Sequence, residues 1–591
     1  MRRTFLSKLQ THAPVEEKQR AYSGEDKEVG GAPVDQGITS DTDESHSADV
    51  QDGVRKIEVT TQVWSRGHLI FAYVMIWVIA FVDTMQQGMS NSLLPYVTSS
   101  FQLHSLTAAT GIMSSIIGGL IRLPLAKVLD IWGRPQGFLI MVGALTVGLI
   151  MMAACNNVQT YAAAQVFYWV GYNGMTYTIS IFIADTSALK NRALMFAFVS
   201  SPYIATVWIG GPLATAFLKG PGFRWGYGAF AIITPIITLP LYGVFAWNYK
   251  KAKDSGLLPE KEERTRTFSQ SCKHYFIEFD VIGILLLAGG LALFLLPFSL
   301  YSYQEDRWKS SLVISMIIIG GLLVIAFALY EKYLAPVCFI PFGLLFDRTV
   351  LGACILAGSL FVSFFIWDSY FPSFLQVVNN LSITEASYIV NIYSIGSCFW
   401  SIVVGILVRW SGRFKWLALY FGVPLTILGV GLMIAFRQPD VNIGYIIMCQ
   451  IFIAFAGGTC VITEQMAAMA ATSHQYVAVV LAVEAMFASI GGAIGQTVAA
   501  AIWTGVFPQK LTEYLPDEAK ANATLIYGDI RVQKSYPVGS LERIAINKAY
   551  GDGQKYMLIG GTAILAVSLG ATMMWRDIKV KDFKQVKGLV V

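Results

Sequence analysis

The sequence predicts an all-α membrane protein of fourteen transmembrane helices, laid out as six, two and six, with the two sets of six as parallel pseudo-symmetric halves. Three observations carry this expectation. The composition is too apolar for a soluble domain, the apolar runs are long enough to cross a bilayer, and landmarks repeat about 280 residues apart. Of the 591 residues, 55% are hydrophobic and 14% charged, against about 25% charged in soluble domains. The mean hydropathy is +0.55. A soluble enzyme, a nucleic-acid binder and a disulfide scaffold are excluded on this ground. The net charge of +5 is not concentrated in one basic block. The 7 cysteines form no C-x-x-C pair and read as small apolar residues.

The elements follow in chain order. Residues 1–65 are polar and hold no apolar run, so they read as a disordered cytoplasmic tail rather than a signal peptide. A spanning helix needs roughly 20 mostly apolar residues. Runs of that kind fall at 68–97, 107–129, 138–155, 160–184, 193–218, 226–248, 279–300, 310–331, 349–371, 384–408, 417–436, 443–466, 475–505 and 556–575. Backbone groups in lipid must be bonded within the segment, which makes these helices. The expected division is an N-terminal half at 66–250, a cytoplasmic loop with the inserted pair at 251–345, a C-terminal half at 346–577 and a tail at 578–591. The C-terminal half includes an extracellular loop at 506–555.

Basic residues mark the cytoplasmic side. Lys250, Lys251 and Lys253 after the sixth span and Arg576, Lys579 and Lys581 after the last put both termini there. The two N-x-S/T sequons, at Asn380 and Asn522, fall on loops assigned to the opposite side, where glycosylation occurs. A plasma-membrane location is the first expectation, and an endosomal or vacuolar membrane stays open.

The repeat sets the two halves in register. Gly133 corresponds to Gly412 and Asp185 to Glu464, both at an offset of 279, while Gly210-Gly211-Pro212 corresponds to Gly491-Gly492-Ala493 at an offset of 281. Parallel repeats of this kind are a transporter architecture.

The turn after the second span, Ala126-Lys127-Val128-Leu129-Asp130-Ile131-Trp132-Gly133-Arg134, resembles the signature of the major facilitator superfamily, with Ala126 and Ile131 replacing its first glycine and its second charge. Further pieces are Gly133-Arg134-Pro135-Gln136-Gly137-Phe138, Ala184-Asp185-Thr186-Ser187 with Asn191-Arg192, Arg224-Trp225-Gly226-Tyr227-Gly228, Arg413-Phe414-Lys415-Trp416 and Gly491-Gly492-Ala493-Ile494-Gly495. With the long last outer loop, these resemble the fungal siderophore–iron transporters, the fourteen-span branch, over residues 65–575. The resemblance implies uptake of ferric hydroxamate chelates driven by a proton gradient. The family also has a glutathione–proton exchanger branch, so an exporter or exchanger of drugs or glutathione is the alternative within the class. A non-transporting membrane receptor is the alternative outside it, disfavoured because the cytoplasmic segments are short.

Charges inside a bilayer cost at least about 2.5 kcal/mol each at the centre and need a reason. Asp83 lies mid-span in the polar stripe Asp83, Thr84, Gln86, Gln87, and is the first candidate for proton coupling. Glu484 is the second, with an inward-facing structural acid as its plainer reading. Arg122 reads as a structural partner, neutralising Asp83, or as a holder of anionic groups. Asp368 reads as a polar rim residue of the cavity. Asp130, Arg134, Asp185, Arg192, Arg409, Arg413 and Glu464 fall at cytoplasmic helix ends, where charges can pair across the halves as a gate. In the 506–555 loop, Ser540 caps an expected short helix over 539–550, and Arg543 and Tyr550 are candidate contacts for an oxygen-rich chelate. The 6 histidines are scattered and no Walker loop is present. The chain is therefore expected to be no enzyme and to have no cofactor and no resident metal. Its expected partners are a ferric siderophore, protons and the lipid bilayer, with no nucleic acid, and the expected state is a monomer.

Overall fold

The computed structural model describes residues 63–100, 117–256, 267–297, 301, 304, 306–336, 342–473, 476–528 and 530–581. The expected tails 1–62 and 582–591 and the first part of the second span lie outside the described residues. Among the described residues the structure is helical, with no strand. Eleven helices among the described residues are long and apolar enough to cross a membrane, or twelve when one bent pair counts as a single crossing.

Two groups of helices and one pair make up the molecule. The first group begins with α1 (Arg66–Ser100), α2 (Arg122–Ile131), α3 (Arg134–Ala154) and α4 (Val158–Thr186). It ends with α5 (Leu189–Ser200), α6 (Tyr203–Lys219) and α7 (Phe223–Asp254). Here α3 packs on α4 and α7, and α1 on α6 and α7. The local start signals are plain. Pro135 sits in the first turn of α3, where its missing N–H costs nothing. Asn157 caps α4 by accepting from the Thr160 amide at 2.7 Å.

The pair follows. α8 (Phe268–Glu278) and α9 (Val281–Leu295) are bent by 49° at Phe279-Asp280. Asp280 takes the left-handed conformation at φ 45 and restarts the helix, its carboxylate accepting from the Gly283 amide at 3.2 Å and from the Tyr330 hydroxyl at 3.0 Å. Tyr330 belongs to α10 (Ser311–Tyr333), which packs along α9. α8 lies against the turn after α2, where Trp132 meets Tyr275 and Phe279 edge-on at 5.6 and 6.1 Å.

The second group contains α11 (Arg348–Asp368), α12 (Phe371–Val377), α13 (Ile383–Ser411) and α14 (Val423–Phe436). It continues with α15 (Ile443–Ala470), α16 (Val477–Tyr514), two short helices α17 (Ala523–Gly528) and α18 (Ile530–Ser535), and α19 (Leu541–Met573). α11 packs on α16 and α19, and α13 on α15. A full capping box, Ser382 with Glu385, starts α13.

The start of α1, the turn 132–133, the start of α5, the end of α13 and the end of α19 share one end of the molecule, called lower here. Lys251 donates to the Val63 carbonyl and the Val580 amide to that of Gly412 at 2.9 Å. The upper end carries residues 515–540. Gly133 and Gly412, paired by the repeat, both have positive φ, at 111° and 72°. Only glycine takes such turns without strain.

Two expectations about the upper end are corrected. Ser540 does cap a helix, accepting from the Arg543 amide at 3.2 Å, but that helix is the first part of α19 and not a separate short one. Ala545, Ile546, Ala549 and Tyr550 are buried in one apolar cluster with Phe507 and Leu511 of α16. Both helices therefore continue above the bilayer-length stretch, and the connection shrinks from 506–555 to 515–540.

Candidate functional site

The two groups meet along α5, α6 and α13, along α2 and α16, and where α5 touches α15. Between them lies a cavity of about 270 Å³. Asp83 and Thr84 of α1, Tyr172 and Thr176 of α4, and Tyr203 of α6 line it from one group. Tyr393, Ser397 and Ser401 of α13 and Gln465 of α15 line it from the other. α1 points Asp83 inward because its polar residues recur at helical spacing on the face turned from lipid. Ile70, Phe71 and Val74 form the exposed face of the same helix.

Around Asp83 the hydroxyl groups form a chain. The Tyr203 hydroxyl donates to Gln87 Oε1 at 2.9 Å and lies 3.1 Å from that of Tyr172, while Tyr168 donates to Gln86 Oε1 at 2.9 Å. All three tyrosines are close enough to Asp83 to feel its charge. These tyrosines escaped the sequence reading. The signal was present, since Gln165, Tyr168, Tyr172, Asn173 and Thr176 follow each other at helical spacing along α4. A wall of phenols, hydroxyls and amides around one acid can hydrogen-bond an oxygen-rich solute from many sides.

Arg122 does not neutralise Asp83. Its Nη2 donates to Asn173 Oδ1 at 2.9 Å, and the acid acting on it is Glu484. Glu464 is not part of the lower rim. It is buried, and the acid acting on it is Glu484. The two acids come from neighbouring helices, so their pairing could not be read from spacing.

The other charges expected at the rim divide by group. Arg134 Nε donates to Asp185 Oδ2 at 3.0 Å and its Nη1 to the Leu129 carbonyl at 2.8 Å, so this buried pair lies inside the first group. Arg413 pairs with Asp577 at 2.6 Å inside the second, and Arg409 is exposed. The Asp130 side chain lies outside the described residues. Arg192 reaches the other group, with Nη1 3.8 Å from Met469 Sδ, while its Nη2 holds the Ala184 carbonyl at 2.7 Å. Closure of the lower end is a packing contact as well. Gly405 of α13 sits against the backbone of Leu194 in α5, and a Cβ there would stand 2.8 Å from the Leu194 Cα.

Asp368 is half-buried near the upper end, and the base acting on it is Arg437. Arg437 follows the last residue of α14. Its side chain is fully buried, with the guanidinium 3.8 Å above the Phe371 ring and Nη1 donating to the Trp367 carbonyl at 2.8 Å.

Arg543 and Tyr550 are corrected too. Neither lines the cavity. Arg543 is buried and donates to the carbonyls of Gln533 and Val377, and the Tyr550 hydroxyl donates to Gln533 Oε1 at 2.8 Å. Both hold residues 515–540 down on the second group. Asn380 and Asn522 are exposed at the same end.

Two helix groups around a central cavity with both polar and apolar walls, joined by small-residue contacts, define a membrane transporter. Residues 76–337 match the family model described as Major Facilitator Superfamily, and the chain is of that class. It is 86% identical over 591 residues, all of both chains, to "MFS siderochrome iron transporter 1" of Ajellomyces capsulatus. It is 45% identical over 577 residues to "Siderophore iron transporter mirB" of Emericella nidulans, covering 98% of this chain and 94% of that one. It is 46% identical over 542 residues to "MFS siderochrome iron transporter D" of Aspergillus fumigatus, covering 92% and 90%. The chain belongs to the fungal siderophore–iron transporter family of the major facilitator superfamily. It is a transporter and not an enzyme.

Proposed function

We propose that this protein imports ferric siderophores, of the hydroxamate class, in symport with protons. The observation that carries the reading is the central cavity, where one intramembrane acid, Asp83, stands among tyrosine hydroxyls in a chain whose relatives are named for siderophore iron transport. An acid on the cavity wall can accept a proton from one side and release it to the other once the cavity has changed its opening. The phenols and amides supply hydrogen bonds to a bulky, oxygen-rich chelate, which brings its iron as cargo.

In this reading the chain crosses the bilayer fourteen times as six, two and six. α4 counts as a crossing although its polar face lowers its apolarity, and α8–α9 makes one bent crossing. The halves are 66–250 and 346–577, with 251–345 between them. The lower end is cytoplasmic, because Lys250, Lys251 and Lys253 lie in the last turns of α7 there. Asn380 and Asn522 then face outward as glycan acceptors. The transporter works as a monomer in the plasma membrane. Arg192, with Asp130, Arg134 and Asp185 below it, forms the cytoplasmic gate.

The test is uptake of radiolabelled iron from a panel of chelates, in a host lacking other importers, over a range of external pH. Uptake from trihydroxamates that rises as pH falls is expected. Asp83→Asn keeps the shape and removes the titrating group, so accumulation against a gradient should vanish while chelate binding remains. Wild-type, pH-dependent accumulation by that variant overturns the role of Asp83, and uptake restricted to non-hydroxamate solutes overturns the substrate.

A further inference from the structure

Glu464 on α15 and Glu484 on α16 are 1% and 5% exposed, and the two acids lie close enough to act on each other. Two carboxylates buried side by side repel each other, and one proton held between them relieves that repulsion. Across the interface stands Arg122 of α2, oriented by Asn173 of α4 at 2.9 Å. Among the described residues Arg122 Nε has no hydrogen-bond partner, and neither has Glu464 Oε2. The two groups are in close contact here. The Tyr177 hydroxyl of α4 donates to the Ala478 carbonyl of α16, and Gly119 lies directly against the Ser489 side chain. The other titratable groups near this cluster are Tyr172 and Tyr177 beside Arg122, Cys354 of α11 beside both acids, and Cys460 of α15 and Tyr393 of α13 beside Glu464. Arg122 is the one base among these groups.

We infer that Glu464 and Glu484 form a second proton-binding site, separate from Asp83, whose occupancy controls the attraction between Arg122 of one helix group and Glu484 of the other. With one proton the pair carries a single negative charge facing the guanidinium, and the groups are held together. A second proton makes the pair neutral, and the attraction across the interface is lost. The site lies roughly two helical turns above the lower end of α16, judged from 1.5 Å per residue. Losing the link there loosens the contact that also includes Gly405 with Leu194 and Arg192 with Met469. Tyr393 lines the central cavity and is also near Glu464, which gives a proton from the cavity a route to the pair. Protonation from the cavity thus favours opening of the lower end. The inference deepens the proton-coupled reading above and names a device that would serve it.

The experiment uses the full-length protein in lipid nanodiscs with nitroxide labels at Lys190 and Arg409, both exposed and on opposite groups at the lower end. Unnatural-amino-acid labelling leaves the native cysteines in place. Electron–electron distances are measured from alkaline to acid buffer. In the wild type the long-distance population should grow as pH falls. Glu484→Gln removes the carboxylate that faces Arg122, so the long-distance population should dominate at alkaline pH, with an open-to-closed ratio raised roughly 5–150-fold, the range of a typical coupling between sites. Arg122→Gln should reproduce this result, and the double variant should add nothing to either single one. Asp83→Asn should keep the wild-type pH response of the distances. A wild-type pH response in both Glu484→Gln and Arg122→Gln overturns the inference, as does loss of the response in Asp83→Asn. Label distances that behave as expected, with uptake indifferent to pH, would instead remove proton-coupled transport and leave the switch standing.

Discussion

Arg543→Ala should detach the 515–540 segment from the top of the second helix group. The side chain is 1% exposed. Its Nη1 donates to the Gln533 carbonyl at 2.8 Å and the Tyr536 carbonyl at 3.3 Å, and its Nη2 to the Val377 carbonyl at 2.7 Å. One guanidinium therefore ties the end of α12, the end of α18 and the first turn of α19. A hydrogen bond to a charged group contributes about 1.5–3 kcal/mol, so the two short bonds together hold the segment by about 3–6 kcal/mol. Alanine also leaves the Gln533 and Val377 carbonyls buried without that donor. At about 1.4 kcal/mol per tenfold, local opening should become roughly 10²–10⁴ times more frequent. The assay is hydrogen exchange on protein in nanodiscs, following the amides of residues 530–536 and 377–381, with limited proteolysis as a second readout. Exchange should accelerate there and stay unchanged in α13 and α15. Arg543→Lys keeps one donor and the charge, and should fall between. Unchanged exchange at 530–536 in correctly inserted Arg543→Ala would refute the anchoring role and reopen Arg543 as a substrate contact.

Gly405→Val places a side chain into the Leu194 backbone, where a Cβ already stands only 2.8 Å from its Cα. The variant should disfavour lower-end closure, seen as faster labelling of Cys398 on the cavity wall by a thiol reagent added from the lower side, and unaltered labelling would contradict the closure contact. Arg134→Gln removes one partner of an ion pair whose side chains are each 2% exposed, a change that typically costs about 3–5 kcal/mol. A clear drop in melting temperature in detergent should result, and full stability would show that Asp185 is satisfied without it. Asn380→Gln and Asn522→Gln should each remove one glycan-sized step in gel mobility, and no step from either would place these loops on the wrong side of the membrane.

The amino-acid sequence by itself determined where the helices are and which of their faces are polar. Ser540, Asn157 and the Ser382/Glu385 box begin helices because a side-chain oxygen three residues from a bare amide satisfies it, whatever packs around them. Gly133 and Gly412, at equivalent points of the repeat, both take positive φ, the first before a helix and the second after one, because a residue without Cβ does so freely. Asp83 could be placed on a cavity wall because Thr84, Gln86 and Gln87 mark that side of α1 as one that avoids lipid. What tertiary structure decided is which polar face meets which. Arg122 read as a structural partner that could neutralise Asp83 or hold anionic groups, yet it meets Asn173 and Glu484. Glu464 belonged with the rim charges by its place near a helix end, yet α15 turns it towards Glu484. Arg543 and Tyr550 read as chelate contacts because they stand in a long outer connection, and each is buried against residues distant in sequence. The reason is physical. Periodicity along one helix reports the average surroundings of each of its faces, lipid or protein. The partner of a buried charge is set by the rotation and depth of a second helix, and these depend on close contacts such as Gly405 on Leu194 that exist only after the chain has packed.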